Sequence, residues 1–366
     1  MDSASDSRLH EIDRFLASVG DGWDRANRTP LGQDASTRRY IRLLREDGAS
    51  ALLMDAPRVE DDPCPPDADR ALREKIGWNA MTRLAASRVE AFALIAGHLR
   101  SLGLEAPDVY AFDPAAGFAL IEDFGEGREF ARMIERGEAD ERMLYRAAAE
   151  TLARLHAAPI PKRLEQAGVV WPILDFDAVA LAANADLYAD WLPLEVGGAK
   201  LVGEARARWE AERDALIEQA MSFPRAFTLR DYHAENLLWL PGGRVGLLDF
   251  QDAVRGWDAW DMAMLTQDAR RAVSEEAAEA AIKTFLEQTG QNRTDFDERL
   301  AVIGALNALR IAGVFSRLQH RDKKPRYGQF QPRQLSLLAR NLAHPALAGM
   351  RAFVMEQTPF VFEAKA

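Results

Sequence analysis

The feature that most constrains the fold of this chain is a compact hairpin signal in its second half. Two mostly apolar runs, residues 237–240 and 244–248, are separated by a Pro-Gly-Gly turn, and this pattern predicts two antiparallel strands. If the residues that flank the turn pair with each other, antiparallel counting places Asn236 opposite Leu248. The side chains of Asn236 and Asp249 are therefore expected to meet at the open end of the hairpin.

A third oxygen-bearing side chain, Asp231, lies five residues before Asn236. Hard oxygen ligands grouped in this way suit Mg²⁺, which proteins hold with one or two carboxylates and substrate phosphates. Phosphoryl transfer also needs a residue that orients the acceptor hydroxyl and takes its proton. Asp231 fits that role, and Asn236 and Asp249 fit the metal roles. The alternative is an acidic turn beside an ordinary hairpin, and the hairpin between the two halves of the pattern favours the phosphotransferase.

Composition narrows the function classes. The 366 residues include 46 basic and 57 acidic ones, for a net charge of −11, which argues against nonspecific binding to nucleic acid. We expect no membrane span and no signal peptide, because we find no long apolar stretch and the first residues are polar. The single cysteine, Cys64, cannot form an internal disulfide. The reducing cytoplasm is therefore the expected compartment.

The distribution of strand and helix signals predicts an α+β protein with two lobes. Residues 1–8 are expected to form a disordered tail, 9–121 an N-terminal lobe with a small antiparallel sheet, 122–125 a hinge, and 126–366 a mostly helical C-terminal lobe. Alternation of apolar residues predicts strands over 37–44, 49–54, 109–112 and 118–121. Helical spacing predicts helices over 9–19, 87–102, 141–157, 173–192, 204–220, 259–272, 275–289, 297–320 and 334–342.

The loop 31–37 lies between two predicted strands and is the best candidate for contacting nucleotide phosphates. Its candidate contacts are Gly32, Asp34 and the Ser36 hydroxyl. With one glycine, the loop is also compatible with an ordinary hairpin turn. In the predicted hinge, Glu122, Asp123 and Phe124 are candidates to offer backbone groups to an adenine ring, and a simple turn between lobes is the alternative.

No lysine occupies the strand position from which a kinase usually grips the α- and β-phosphates; residues 51–57 read Ala-Leu-Leu-Met-Asp-Ala-Pro. Arg38 and Arg39 can add positive charge near the nucleotide, but only one side of a strand can face it. Arg39 and Lys75 are the two candidate substitutes for the lysine. The expected ion-pair partner on the following helix is Glu90.

About nine residues separate Asp249 from the helix that begins near Asp258. Protein kinases insert a long activation segment at this point, so the short connection favours a small-molecule acceptor over a peptide. Asp261 follows in the same helix. It either braces the catalytic segment with hydrogen bonds or supplies negative charge to the helix N-terminus.

Residues 230–236 and 248–253 resemble the catalytic segments of aminoglycoside phosphotransferase-like kinases, which have the two-lobed protein-kinase-like fold. Within that superfamily the chain is most similar to bacterial anomeric sugar kinases acting on N-acetylmuramate and N-acetylglucosamine. The resemblance implies ATP and Mg²⁺ as cosubstrates and a sugar 1-phosphate as the product, in cell-wall recycling. The segments that carry the narrower match are 34–40, 54–57, 122–125, 265–270 and 313–325.

The candidate sugar contacts are polar or aromatic residues, as concave sugar sites favour. Arg317 can pair with a lactyl carboxylate if the acceptor has one, although a structural ion pair is the alternative. For Trp191, the alternative is a position in the hydrophobic core. The region around Lys75 looks like an insertion relative to the family. The five candidates are Asn184, Trp191, Gln251, Asp252 and Arg317.

Two other functions stay open from the sequence. An antibiotic kinase is compatible with the acidic net charge, because its acceptors are polycations. A nucleotide-binding pseudokinase is suggested by the absent strand lysine and the glycine-poor loop, although the intact set of Asp231, Asn236 and Asp249 argues against it. The sequence does not predict an oligomeric state.

Overall fold

A five-stranded antiparallel sheet forms the first third of the protein. The protein is described by a computed structural model that covers residues 3–32, 38–58 and 64–364. The first three strands are neighbours in chain order, and the fifth pairs between the third and the fourth. The strands are β1 (Asn27–Pro30), β2 (Arg39–Leu44), β3 (Ser50–Asp55), β4 (Val109–Asp113) and β5 (Phe118–Glu122).

Helices cover both faces of this sheet. The first four are α1 (Ser3–Val19), α2 (Arg70–Ile76), α3 (Trp78–Thr82) and α4 (Val89–Ser101).

The two faces of the sheet belong to different cores. Leu53 of β3 packs with Leu16 of α1 in a small core, whereas its neighbour Met54 belongs to the large core that contains α4. This is the alternation that a pleated strand imposes. The expectation of a disordered tail is wrong over residues 3–8, because α1 begins at Ser3.

The region that looked like an insertion folds into α2 and α3. Asp69 begins α2 by accepting a hydrogen bond from Leu72 N at 2.8 Å, a standard N-cap. Arg73 of α2 is almost fully buried, and its guanidinium donates to both carboxylate oxygens of Asp177 at 2.7 and 3.0 Å. The insertion is therefore anchored to the larger part of the protein.

The remainder of the chain is mostly helical, as the predicted α+β class requires. The sheet ends at Glu122, inside the predicted hinge; the lobe boundaries themselves stay a prediction. The later helices are α5 (Phe130–Glu135), α6 (Glu141–His156), α7 (Ala178–Trp191), α8 (Gly203–Ser222), α9 (Asp258–Thr266), α10 (Glu275–Thr289), α11 (Arg293–His320), α12 (Gln331–Leu342) and α13 (Ala348–Gln357). The later strands are β6 (Arg163–Gln166), β7 (Val169–Pro172), β8 (Ala226–Thr228), β9 (Leu237–Leu240), β10 (Arg244–Leu247) and β11 (Val254–Gly256).

Two helix predictions were wrong at their ends for identifiable reasons. The helix predicted over 173–192 begins only at Ala178, because the Asp177 carboxylate caps it by accepting from Ala180 N at 2.9 Å. The helix predicted over 259–272 ends at Thr266. Beyond it, the Asp268 carboxylate accepts from Arg270 N at 2.8 Å, a local turn that competes with continued helix.

Helix α11 runs through the helical core. It is long and apolar enough to cross a membrane by length and composition, contrary to the expectation that we would find no such stretch, and 78% of its apolar window is buried inside the protein. That burial is typical of a core helix. A Cβ atom added at Gly313 would lie 2.2 Å from the backbone carbon of Leu187, so α11 and α7 approach closely at this glycine.

Candidate active site

The catalytic hairpin has the predicted register. Arg244 pairs with Leu240 and Leu247 with Leu237, and Leu248 N donates to Asn236 O at 3.0 Å. Asn236 is thereby fixed beside the residue that precedes Asp249. The juxtaposition predicted by counting outward from the turn is confirmed.

The segment before the hairpin folds back on itself. The backbone oxygen of Asp231 accepts hydrogen bonds from Asn236 Nδ2 at 2.9 Å and from His233 N at 3.2 Å. Because the amide nitrogen of Asn236 is used in this way, its amide oxygen is the atom left to act as a ligand. The Asp231 side chain is half-buried.

Helix α9 braces this segment from behind. The fully buried Asp261 accepts hydrogen bonds from Leu229 N at 2.7 Å and Arg230 N at 2.8 Å, and Trp260 Nε1 donates to Arg230 O at 3.2 Å. Burial raises the pKa of Asp261 to about 7. Arg230 has a left-handed backbone, with φ of 76°, which is rare outside glycine. Of the two interpretations of Asp261, the brace is the one that the hydrogen bonds support.

Asp249, the candidate metal ligand, has a partly exposed carboxylate. Its backbone is left-handed, with φ of 55°, and its side chain is 43% exposed. One carboxylate oxygen, Oδ1, accepts from Arg38 Nη2 at 3.2 Å and from Gln251 Nε2 at 2.9 Å. The other oxygen and the Asn236 amide oxygen are hard donors, so these residues fit a divalent cation that phosphates would also coordinate.

The α2–α3 insertion is fastened to the catalytic segment, which the sequence did not predict. The buried Arg230 guanidinium donates to Thr82 O at 3.1 Å and Arg83 O at 3.0 Å. Asp252 accepts from Ala85 N at 2.5 Å. The contacts join backbone groups at the end of α3 and just after it to side chains that flank Asp231 and Asp249, so this end of the insertion forms part of the wall beside the site.

Two candidate sugar contacts already have structural partners. Gln251 supports Asp249, and its buried Oε1 has no hydrogen-bond partner among the residues described. Asp252 holds the insertion, and burial raises the pKa of its carboxyl group above its ordinary value. Both lie close to Asp249 in the chain, and direct contact with a sugar stays a prediction for each.

The other three candidates lie on α7 and α11. Asn184 is buried, and its Nδ2 donates to Ala180 O at 2.8 Å within α7. Trp191 is half-buried at the last position of α7. Arg317 of α11 lies over the exposed ring of Trp78, at 5.2 Å from its centroid, and forms no ion pair with any residue in the described ranges.

The packing of α7 against α11 places Trp191 and Arg317 toward the same end of this helix pair. Gly313 meets Leu187, and six residues further along α11 Gln319 Nε2 donates to Glu195 Oε1 at 3.0 Å, just beyond the end of α7. The two helices therefore run in the same direction. Trp78 was not predicted from the sequence, where its one signal is an aromatic residue inside the insertion.

The structure places some of the predicted nucleotide contacts, and others lie outside the described residues. Asp34 and Ser36 lie outside the described residues, and Gly32 is exposed. In the predicted hinge, Glu122 N donates to Asp108 O at 2.8 Å, so this donor is used within the sheet. Asp123 pairs with Arg42 of β2 at 2.7 and 3.1 Å. A role for Phe124 beside adenine stays a prediction.

Arg39 does not lie beside Asp249. It pairs with Asp55 at 2.5 Å, and Arg8 of α1 pairs with the same carboxylate at 2.7 Å. These contacts place Arg39 on the α1 face of the sheet. Glu90, the expected ion-pair partner of the cation that replaces the lysine, is buried. Its Oε1 lies 3.7 Å from Nη1 of Arg88.

Comparisons with known proteins find relatives that match along nearly the whole chain. A kinase from Caulobacter vibrioides, named N-acetylmuramate/N-acetylglucosamine kinase, is 45% identical over 94% of this chain and 95% of its own. A protein of the same name from Pseudomonas aeruginosa is 30% identical over 94% of this chain and 95% of its own.

Solved structures show the same fold. A choline/ethanolamine kinase family protein from Mesorhizobium loti superposes with a TM-score of 0.57 at 18% identity, covering 95% of this chain and 99% of that one. An ADP-bound aminoglycoside phosphotransferase gives 0.54 at 12% identity, covering 93% and 99%. The predicted two-lobed kinase fold is confirmed. The model of the phosphotransferase enzyme family matches residues 27–298, and this chain belongs to that family.

Proposed function

We propose that this enzyme transfers the γ-phosphoryl group of ATP to the anomeric hydroxyl of N-acetylmuramate and N-acetylglucosamine, with Mg²⁺ as the divalent ion. The chain is an ATP-dependent kinase by family. The observation that carries the choice of acceptor is 45% identity, along nearly the whole of both chains, to a protein named for these two sugars.

The site geometry supports the phosphoryl-transfer step. In this proposal Asp231 orients the acceptor hydroxyl and takes its proton. Its side chain is half-buried, and Asp261 braces the two residues before it. Asn236 and Asp249 would hold the metal ion, which neutralises charge on the phosphates when it is bound. Positioning and charge stabilisation of this kind supply most of the catalysis in phosphoryl transfer.

A small acceptor fits the segment after Asp249. Only eight residues, 250–257, lie between Asp249 and Asp258 at the start of α9. They include β11, which pairs with β8 directly before the catalytic segment. The segment is therefore folded back against the protein. It offers no extended platform on which a peptide could bind.

The acceptor would bind on the side formed by α7, α11 and the insertion. We assign sugar contacts to Asn184, Trp191, Gln251, Asp252 and Arg317. Arg317 is suited to the lactyl carboxylate of N-acetylmuramate, because arginine binds carboxylates with paired hydrogen bonds. Gly32, Asp34, Ser36 and the backbone near Phe124 stay our proposed nucleotide contacts, and cytoplasmic peptidoglycan recycling the proposed setting.

The test is phosphorylation of a panel of acceptors, followed by ³¹P spectra of the products. We expect N-acetylmuramate and N-acetylglucosamine to give phosphorus signals coupled to the anomeric proton. The methyl glycoside of N-acetylglucosamine, which lacks a free anomeric hydroxyl, is the matched control and should not react. Phosphorylation of the methyl glycoside at a similar rate, or of aminoglycosides alone, would overturn the proposal.

A further inference from the structure

A kinase site without the strand lysine needs another cation near the phosphates. Strand β3 does not supply one on its cleft-side face. Leu52 and Met54 of β3 both lie against the large core that contains α4 and Phe250, the residue after Asp249. The cation must therefore come from a neighbouring element.

The residue just before β2 is an arginine that lies on that face. Tyr40 is paired with Met54 and packs against the same large core. Arg38 comes two residues before Tyr40, and residues two apart in an extended chain point to the same side. Its guanidinium reaches Asp249, with Nη2 at 3.2 Å from Oδ1, and its side chain is only 12% exposed.

The surroundings of Arg38 are those of a cation held among acidic groups. Burial by itself lowers the pKa of this guanidinium. The nearby Tyr40, Asp249, Asp252 and Asp231 outweigh that effect and raise the pKa above its ordinary value. The contact with Asp249 holds Arg38 beside the proposed metal-binding carboxylate.

The two residues that the sequence suggested as substitutes for the strand lysine lie in less suitable positions than Arg38. Arg39 is on the opposite face of β2, where it shares Asp55 with Arg8. Lys75 is exposed in the last turn of α2. Neither contacts Asp249 in the described part of the chain.

We propose that Arg38, which contacts Asp249, grips the ATP phosphates in place of the missing strand lysine. The phosphates that share a metal ion with Asp249 must lie within a few ångströms of this carboxylate, which is where the guanidinium already is. The inference rests on ATP being the phosphoryl donor and not on the identity of the acceptor.

The experiment compares nucleotide and metal affinities of Arg38→Gln with those of the unaltered enzyme. We expect the Kd for ATP to rise about ten- to a hundredfold, because charge-assisted hydrogen bonds are lost, while the Kd for AMP changes less than about threefold. Mn²⁺ binding in the absence of nucleotide, followed by electron paramagnetic resonance, should become tighter, because a cation is removed from beside Asp249.

Two further variants separate a direct role from a structural one. Arg39→Gln, one residue away on the opposite face, should leave both nucleotide affinities unchanged. Arg38→Lys should recover part of the ATP affinity, because it restores the charge without the paired hydrogen bonds. Arg38→Gln that binds ATP as well as the unaltered enzyme, or that loses ATP and AMP affinity equally, would overturn the proposal. A different acceptor in the panel above would leave these binding results unchanged.

Discussion

Asp177 joins the insertion to the acceptor side of the enzyme, because its carboxylate caps α7 at Ala180 N and also accepts two hydrogen bonds from the buried Arg73 guanidinium. Replacing Asp177 by alanine should remove the cap and leave Arg73 buried without its carboxylate. We expect Asp177→Ala to lower the free energy of unfolding by about 3 kcal/mol, measured by urea denaturation.

The matched control for this change is Asp140→Ala. Asp140 caps α6 in the same way, accepting from Met143 N at 2.7 Å, but its side chain is exposed and it has no buried arginine partner in the described ranges. We expect a loss of about 1 kcal/mol there. Similar losses in the two variants would show that the contact between Arg73 and Asp177 adds little stability.

Asp261 makes the stability of the enzyme depend on pH. Burial raises its pKa from 3.8 to about 7, so the folded state favours the protonated form. The stability that it contributes is fully present below the unfolded-state pKa, near 4, and is lost as the pH rises through 7. The unfolding midpoint of the unaltered enzyme should therefore fall relative to that of Asp261→Asn between pH 5 and 8. A difference in midpoint that stays constant across this range would contradict the assignment.

Gly313 is needed where α11 crosses α7. A Cβ atom there would overlap the Leu187 backbone at 2.2 and 2.3 Å, so Gly313→Ala must push the two helices apart. We expect a loss of about 2–3 kcal/mol in the free energy of unfolding, with a higher KM for the sugar, because α7 carries Asn184 and Trp191.

The control is Gly97→Ala in α4. The added methyl group would meet only the flexible end of the Gln166 side chain, at 3.3 Å. Alanine also has the higher helix propensity by about 1 kcal/mol, so this variant should be neutral or slightly more stable in the same denaturation assay. Equal losses of unfolding free energy at the two glycines would indicate that the close approach of α11 and α7 at Gly313 does not explain the effect of the substitution.

The catalytic hairpin could be predicted because its determinants are local. The Pro-Gly-Gly turn sets the register, and counting outward from it places Asn236 beside Leu248, as the hydrogen bond between them confirms. The order of sheet and helices follows from apolar spacing in the same local way. These features do not depend on contacts that are distant in the sequence.

The rest of the site depends on distant contacts. Which of Arg38 and Arg39 faces the proposed nucleotide site depends on which face of β2 packs on α1. That face is known only once the position of Arg8 of α1 is known. Arg230 reaches backbone oxygens almost 150 positions earlier in the chain, and no spacing rule predicts such a partner. The two helices of the insertion, which lie beside the site, were not among the predicted helices.

The most direct test of the account separates the chemical step from nucleotide binding at two of its three central side chains. Asp231→Asn should lower kcat by about 10²- to 10⁴-fold and leave the Kd for ATP with Mg²⁺ within about threefold of its original value. Asp249→Ala should weaken Mg²⁺-dependent ATP binding as well as lower kcat. Equal loss of ATP binding in the two variants, or near-normal turnover by Asp231→Asn, would contradict the assignment of a base and a metal ligand to these residues.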